Sequence, residues 1–286
     1  MEQLKIVECP RDAMQGIHEF IPTEKKVRYI NQLLQVGFDT LDFGSFVSPR
    51  AIPQMKDTKQ VLQQLDLSAT KTKLLAIVGN LRGAKNACEF DEVNAIGFPF
   101  SISDTFQKRN INSSIEDSFN RAEIIHNEAI KKNKELVVYI SMAFGNPYGD
   151  PWNKEIAIEW SHRLNKELEI KTISLSDTIG IATPDVISYL FDALIPAIPD
   201  VEFGAHLHTT PDTWKEKVEA AYTSGCKRMD GAIKGYGGCP MAKDDLTGNM
   251  PTENLIAFMN EKSIAHQLNQ EAFAESMALT LETFPH

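Results

Sequence analysis

Eight short apolar runs recur along this chain, and each is followed by a longer amphipathic stretch. The runs cover residues 4–8, 40–44, 74–78, 92–98, 136–142, 172–176, 202–207 and 227–233. Each is rich in Val, Ile, Leu or Phe and short enough to be a buried parallel strand. The stretches between them read as helices near 23–37, 55–66, 82–90, 114–134, 153–168, 184–196, 212–225 and 251–262. Several open on helix-start signals. Thr23 precedes Glu24, Ser114 is followed by Glu116 and Asp117, and Thr183-Pro184 puts proline in a first turn. Eight strand–helix pairs in 286 residues predict an α/β fold, a closed (β/α)8 TIM barrel. Residues 270–283 add a further C-terminal helix. An open doubly wound sheet is the alternative, but no GxGxxG follows the first run. No low-complexity linker interrupts the pattern, so 1–286 reads as a single domain.

Composition narrows the partners. The formal net charge is −10, which argues against nucleic acid as the main partner, because a phosphate-binding surface needs a basic excess. A small anion needs only a local basic patch and stays open. No apolar stretch is long enough to span a bilayer, so no membrane partner is expected. Cys9, Cys88, Cys226 and Cys239 form no CxxC pair and read as reduced thiols of a cytoplasmic protein. The opening MEQLKIVE runs directly into a strand and carries no signal or lipidation motif.

In such a barrel the chemistry gathers at the C-terminal ends of the strands. The polar residues there are Arg11 and Asp12, Asp42 and Ser45, Asn80, Ser101, Ser141, Ser176 and Asp177, His206 and His208, and Asp230. His206 and His208 stand at i and i+2, so on one strand they face the same way and can share an ion. Two ordinary histidines would give the same spacing. Asp12 could add a hard anionic oxygen, making a site for Mg²⁺ or Mn²⁺ with open positions. A local Arg11–Asp12 ion pair is the plainer reading. Cys239 lies in a glycine-rich run, residues 235–240, and could move a proton on a mobile loop, or be a small surface side chain. Asn249 could complete a metal shell with its amide oxygen, or simply occupy a turn. Asp177 could be a supporting carboxylate, a proton relay or a turn residue.

Together these pieces resemble the hydroxymethylglutaryl-CoA lyase family of metal-dependent barrel enzymes. The resemblance is carried along the chain by VECPRDAMQ (7–15), FGSFVSPRAIPQM (43–55), NLRG (80–83), RNINSSIEDSF (109–119), SLSDTIGIATP (174–184), GAHLH (204–208), GYGGCP (235–240) and TGNMPTENL (247–255). It implies that Asp12, His206, His208 and Asn249 hold a divalent metal. It implies that Arg11 stabilises enolate charge, that Cys239 transfers a proton, and that Asp177 is catalytic. Asp42 and His206 are further candidate catalytic groups, His206 for the hydroxyl proton. Gln15, Ser45 and Arg11 are candidates for binding substrate, and Lys108, Arg109 and Asn110, read as a basic loop after the fourth strand, for meeting the CoA phosphates. The implied reaction is retro-Claisen cleavage of an acyl-CoA to acetyl-CoA and acetoacetate, in a homodimer. Met14, standing where condensing relatives carry Glu, fits the lyase pattern.

The chain departs from the pattern in four places. Ala13 replaces Gly, and Asp42 replaces a Glu that is one methylene longer. Asn146 replaces Cys, and Thr209-Thr210-Pro211-Asp212 replaces Asp-Thr-Tyr-Gly. These leave two other readings: a lyase or aldolase for another 3-hydroxy-3-methyl acyl-CoA, and a ligand-binding barrel without turnover.

Overall fold

A computed structural model describes residues 4–238 and 247–284. Eight parallel strands close into a barrel: β1 (Lys5–Glu8), β2 (Thr40–Ser45), β3 (Lys73–Ile77), β4 (Val93–Ser101), β5 (Glu135–Ser141), β6 (Thr172–Ser176), β7 (Glu202–His206) and β9 (Arg228–Gly231). The order around the barrel follows the sequence, so β9 sits between β7 and β1. Two further strands of two residues each, β8 (His208–Thr209) and β10 (Gly248–Asn249), pair antiparallel beyond the end of β7.

The helices are α1 (Pro10–Gln15), α2 (Thr23–Leu34), α3 (Thr58–Leu62), α4 (Leu81–Cys88), α5 (Asp104–Ile111), α6 (Ile115–Lys131), α7 (Lys154–Leu168), α8 (Pro184–Ala197), α9 (Trp214–Thr223), α10 (Thr252–Glu261) and α11 (Gln270–Thr283). The expected TIM barrel and its C-terminal helix are both present. Side-chain caps start several helices. Ser114 accepts from the Asp117 N–H, Thr183 from Val186 and Asn269 from Glu271 and Ala272.

Strand alternation sorts the side chains into two cores. Outward positions such as Leu74, Phe98, Ile140, Ile173 and Met229 pack under the helices. Inward positions Leu75, Ile77, Ala95, Val137 and Tyr139 form a separate cluster inside the barrel. Asp42, His206 and Asp230 lie on the inward-facing positions of β2, β7 and β9. The barrel thus carries polar groups inward at the end where α1 begins.

Two helices were not expected. α1 has six residues, too few to show a period, and starts with proline in its first turn. α5 buries only Phe106 and Gln107, so it carries no legible apolar stripe. Ser103 starts it by accepting from the Phe106 N–H at 3.2 Å. Lys108, Arg109 and Asn110 are therefore the end of a helix, not a loop. The seventh strand ends at His206, one residue earlier than expected.

Glu8 ties the top of β1 to the chain beyond β9. It is fully buried, accepting from the Ile233 N–H at 3.0 Å and the Thr252 hydroxyl at 2.5 Å. Burial pushes its carboxyl up to about 8, although both hydrogen bonds work the other way.

Candidate metal centre and active site

Four chain segments meet at the barrel mouth. α1 brings Arg11 and Asp12, β7 ends on His206, and β8 and β10 carry His208 and Asn249. His208 and Asn249 are directly paired in the β8–β10 ladder. Distant sequence positions are thus brought together by two residue pairs of backbone. The two histidines are on separate strands rather than on one, yet their ring centroids lie 5.5 Å apart.

Asp12, His206 and His208 each offer one ligand atom, and these atoms lie within 4.8 Å of one another. His206 Nε2 is 3.9 Å from Asp12 Oδ2. His206 Nδ1 is 3.0 Å from Asp230 Oδ2, so the carboxylate fixes the proton on Nδ1 and leaves Nε2 for the cluster. Asp230 and His206 are in-register neighbours on β9 and β7. Burial opposes a charge on His206, but the hydrogen bond and charge of Asp230, with Asp12, outweigh it and raise its pKa. His208 goes the other way. Burial and the neighbouring His206 lower it to about 4, which keeps its ring neutral and able to ligate. One carboxylate and two imidazoles fit a divalent ion that keeps open positions.

Asn249 touches this set, but through nitrogen. Its Nδ2 donates to Asp12 Oδ2 at 2.7 Å and to the Tyr236 carbonyl at 2.9 Å. For its oxygen to face an ion beside Asp12, the amide has to turn. Gly237 explains how the following loop comes so close. A β-carbon there would meet Asn249 Nδ2 and the Asp12 carbonyl, both at 2.7 Å.

Arg11 is clamped. Its Nε and Nη2 donate to Asp42, at 3.0 and 2.5 Å to Oδ2, and Nη1 donates to Asp12 Oδ1 and Gln15 Oε1, both at 2.8 Å. Burial opposes its charge, but Asp42 and Asp12 overcome this and hold the guanidinium charged. Asp42 thus reaches Arg11 despite its shorter side chain. Gln15 joins the same group by donating to Asp12 Oδ1 at 2.5 Å.

Other expected residues sit further out. Asp177 is buried and accepts from the Ala182 N–H and from Lys217 Nζ, the latter at 2.8 Å. Lys217 also donates to the His208 carbonyl at 2.8 Å. Asp177 is therefore linked to the Asp12–His206–His208 cluster through Lys217 and the His208 backbone. The Ser45 hydroxyl donates to the Ile77 carbonyl and accepts from the Val47 N–H. Lys108 pairs with Asp104, Arg109 lies 4.7 Å from the Tyr148 ring centroid, and Lys108, Arg109 and Asn110 are all exposed. Asn146 closes the 146–150 turn with bonds to Tyr148 and Asp150. Cys239 lies outside the described residues.

Two contributors were not among the expected site residues. Asp230 stood in the set of polar strand ends, and its signal was that its strand neighbours the one bearing His206. Lys217 gave no signal, being a buried lysine inside a helix.

The HMGL-like family profile matches residues 3–279, nearly the whole chain. The chain belongs to the HMGL-like family. Among its HMGL-like relatives is the hydroxymethylglutaryl-CoA lyase YngG of Bacillus subtilis, 34% identical over 92% of this chain and 86% of the relative. The crystal structure of Bacillus subtilis HMG-CoA lyase superposes with a TM-score of 0.91 at 31% identity, over 99% of this chain and 94% of that one. An HMG-CoA lyase from Acinetobacter baumannii, solved with coenzyme A and 3-methylmalate, gives 0.88 at 30% identity, over 97% and 91%. With this profile and with hydroxymethylglutaryl-CoA lyases as relatives over most of its length, this HMGL-like chain is a carbon–carbon lyase. Among the described residues, no helix is long and apolar enough to cross a membrane.

Proposed function

We propose that this chain cleaves 3-hydroxy-3-methylglutaryl-CoA to acetyl-CoA and acetoacetate with Mg²⁺ or Mn²⁺. The observation that carries the reading is the Asp12–His206–His208 cluster, with clamped Arg11 beside it, at the mouth of a barrel whose relatives are lyases of this name. Asp12, His206 and His208 would hold the ion, with Asn249 joining after its amide turns. A divalent ion there supplies Lewis acidity, polarising the substrate's hydroxyl and carboxylate oxygens.

The protein's own groups divide the remaining work. Arg11 has five N–H donors, and four are engaged by Asp42, Asp12 and Gln15 among the described residues. One Nη2 hydrogen remains for the thioester oxygen as it gains enolate charge. Asp42 keeps the guanidinium planar fork in one orientation. His206 takes the tertiary hydroxyl proton at Nε2, and Asp230, 3.0 Å from Nδ1, stabilises the resulting charge. While His206 Nε2 carries that proton, the ion would be held by Asp12, His208 and Asn249. Breaking the C2–C3 bond leaves the electron pair on the acetyl-CoA carbon, and Cys239 returns a proton there. Asp177 acts through Lys217 to set the His208 backbone.

The substrate is an acyl-CoA, with Lys108, Arg109 and Asn110 meeting the CoA phosphates. The whole of 1–286 works as one catalytic domain, in the cytoplasm and as a homodimer. Purified protein given Mn²⁺ and the substrate is expected to release both products in equal amounts. Release of neither, with the ion bound, overturns the reading. A substrate panel with larger 3-hydroxyacyl groups, ranked by kcat/KM, tests the acyl assignment.

A further inference from the structure

The barrel interior is divided. β3, β4 and β5 fill their side with Leu75, Ile77, Ala95 and Val137, whereas β6, β7 and β9 present Ser174, Gly204 and Arg228. Register places Tyr139, Ser174, Gly204 and Arg228 side by side on four consecutive strands. Ser141, Ser176, His206 and Asp230 form the next row towards the mouth. Strand alternation points both rows inward.

Tyr139, Ser174 and Arg228 of the lower row and Asp230 of the next are buried. Arg228 is 4% exposed and Asp230 2%, while Ser174 is fully buried. Arg228 Nε and Nη2, Tyr139 Oη, Ser174 Oγ and Asp230 Oδ1 have no hydrogen-bond partner among the described residues. Five such atoms in two adjoining rows are not scattered defects, since buried polar atoms are almost always partnered. A guanidinium sealed in a barrel is costly unless its donors are met. The acid nearest to contact is Asp39, 4.0 Å from Nη1, which is beyond a hydrogen bond. Gly204 lets the Arg228 and Ser174 side chains pack close against its backbone. A β-carbon there would lie 3.1 Å from Arg228 Cδ and 3.3 Å from Ser174 Oγ. The Tyr139 ring meets the His206 ring edge-on at 6.0 Å.

Donors from Arg228, Ser174 and Tyr139 and the acceptor of Asp230 are what an ordered buried water requires. We propose that Arg228 is a positioning residue, which through buried water shared with Ser174 and Tyr139 holds the outer oxygen of Asp230 and so fixes the His206 ring. Asp230 then has both oxygens engaged, Oδ2 by His206 and Oδ1 by the water. The carboxylate cannot rotate, and Nε2 stays aimed at Asp12. The proposal rests on His206 serving the metal centre, but not on the identity of the acyl group cleaved.

The test reads the imidazole directly. In metal-free protein carrying ¹⁵N-labelled histidine, at a pH high enough to keep the ring neutral, the wild type is expected to show His206 as a single tautomer protonated on Nδ1. Arg228→Met is expected to give a mixture of ring forms, and Arg228→Lys to restore the single form. Ser174→Ala, a milder change, is expected to shift the signal in the same direction, and it serves if Arg228→Met does not fold. In the metal-loaded enzyme Arg228→Met is expected to lower kcat/KM by roughly 10- to 100-fold. A high-resolution structure is expected to show water within hydrogen-bond distance of both Arg228 and Asp230 Oδ1. An unchanged His206 signal in both Arg228→Met and Ser174→Ala, or a dry interior, overturns the proposal. Because the signal is read without metal or substrate, it can fail while lyase activity stands, and it can hold where that activity is absent.

Discussion

Among the described residues Arg11 spends four of its five donors on Asp42, Asp12 and Gln15, so its remaining N–H is aimed by the other four. A lysine has neither the fork nor the reach to be held at three partners. Arg11→Lys is therefore expected to cut kcat by roughly 100-fold, about 2.7 kcal/mol, which steady-state kinetics would show. A loss below tenfold would mean that the clamp does not serve catalysis. His208 is buried and neutral, suited to ligation rather than to charge. His208→Ala is expected to lose most bound Mn²⁺, measured by titration calorimetry, while the barrel remains folded. Individual side chains were unevenly legible. His206 and His208 stood out because their spacing is local. The role of Asp230 did not, because it arises between β7 and β9, 24 residues apart, and only pairing brings the two together. Asp42 read as a carboxylate one methylene short, yet it reaches Arg11 because the arginine extends to it.

At the level of elements, two small features decide the site's shape. The β8–β10 pairing of two residues each brings His208 beside Asn249. Nothing periodic announces strands so short, and the apolar run 202–207 stops before His208. Gly237 is the second feature. Its φ is +90°, and a β-carbon would collide with Asp12 and Asn249. Gly237→Ala is expected to lower metal affinity at least tenfold with little change in circular dichroism. Unchanged affinity would show that the loop can yield. Glu8 braces the same region from below, between β1, Ile233 and Thr252. Its carboxyl is raised by burial from 4.5 to about 8. The folded chain therefore binds this proton more tightly than the unfolded one. Its contribution is fully present below pH 4.5 and is lost as pH rises towards 8, by at most about 1.4 kcal/mol per pH unit. Denaturant unfolding across that window is expected to show the decline, and Glu8→Gln to flatten it. A wild-type curve that rises over the same window would contradict the protonated, buried assignment.

For the whole molecule, strand–helix alternation was enough to predict the closed barrel, because eight buried parallel strands have few other ways to cover both faces. The same alternation put Asp42, His206 and Asp230 at one end. What it could not convey was the division of the interior into an apolar half and a polar half, since strand runs show burial and not which neighbours share a row. We propose that the Asp12–His206–His208 centre makes this barrel a metal-dependent lyase. The most direct measurement strips the protein with chelator and returns Mn²⁺ stepwise while acetyl-CoA and acetoacetate are counted. No cleavage is expected without the ion, and equal release of both products is expected to rise to saturation at one ion per chain. Cleavage that persists in the stripped protein, or none at full occupancy, would contradict it.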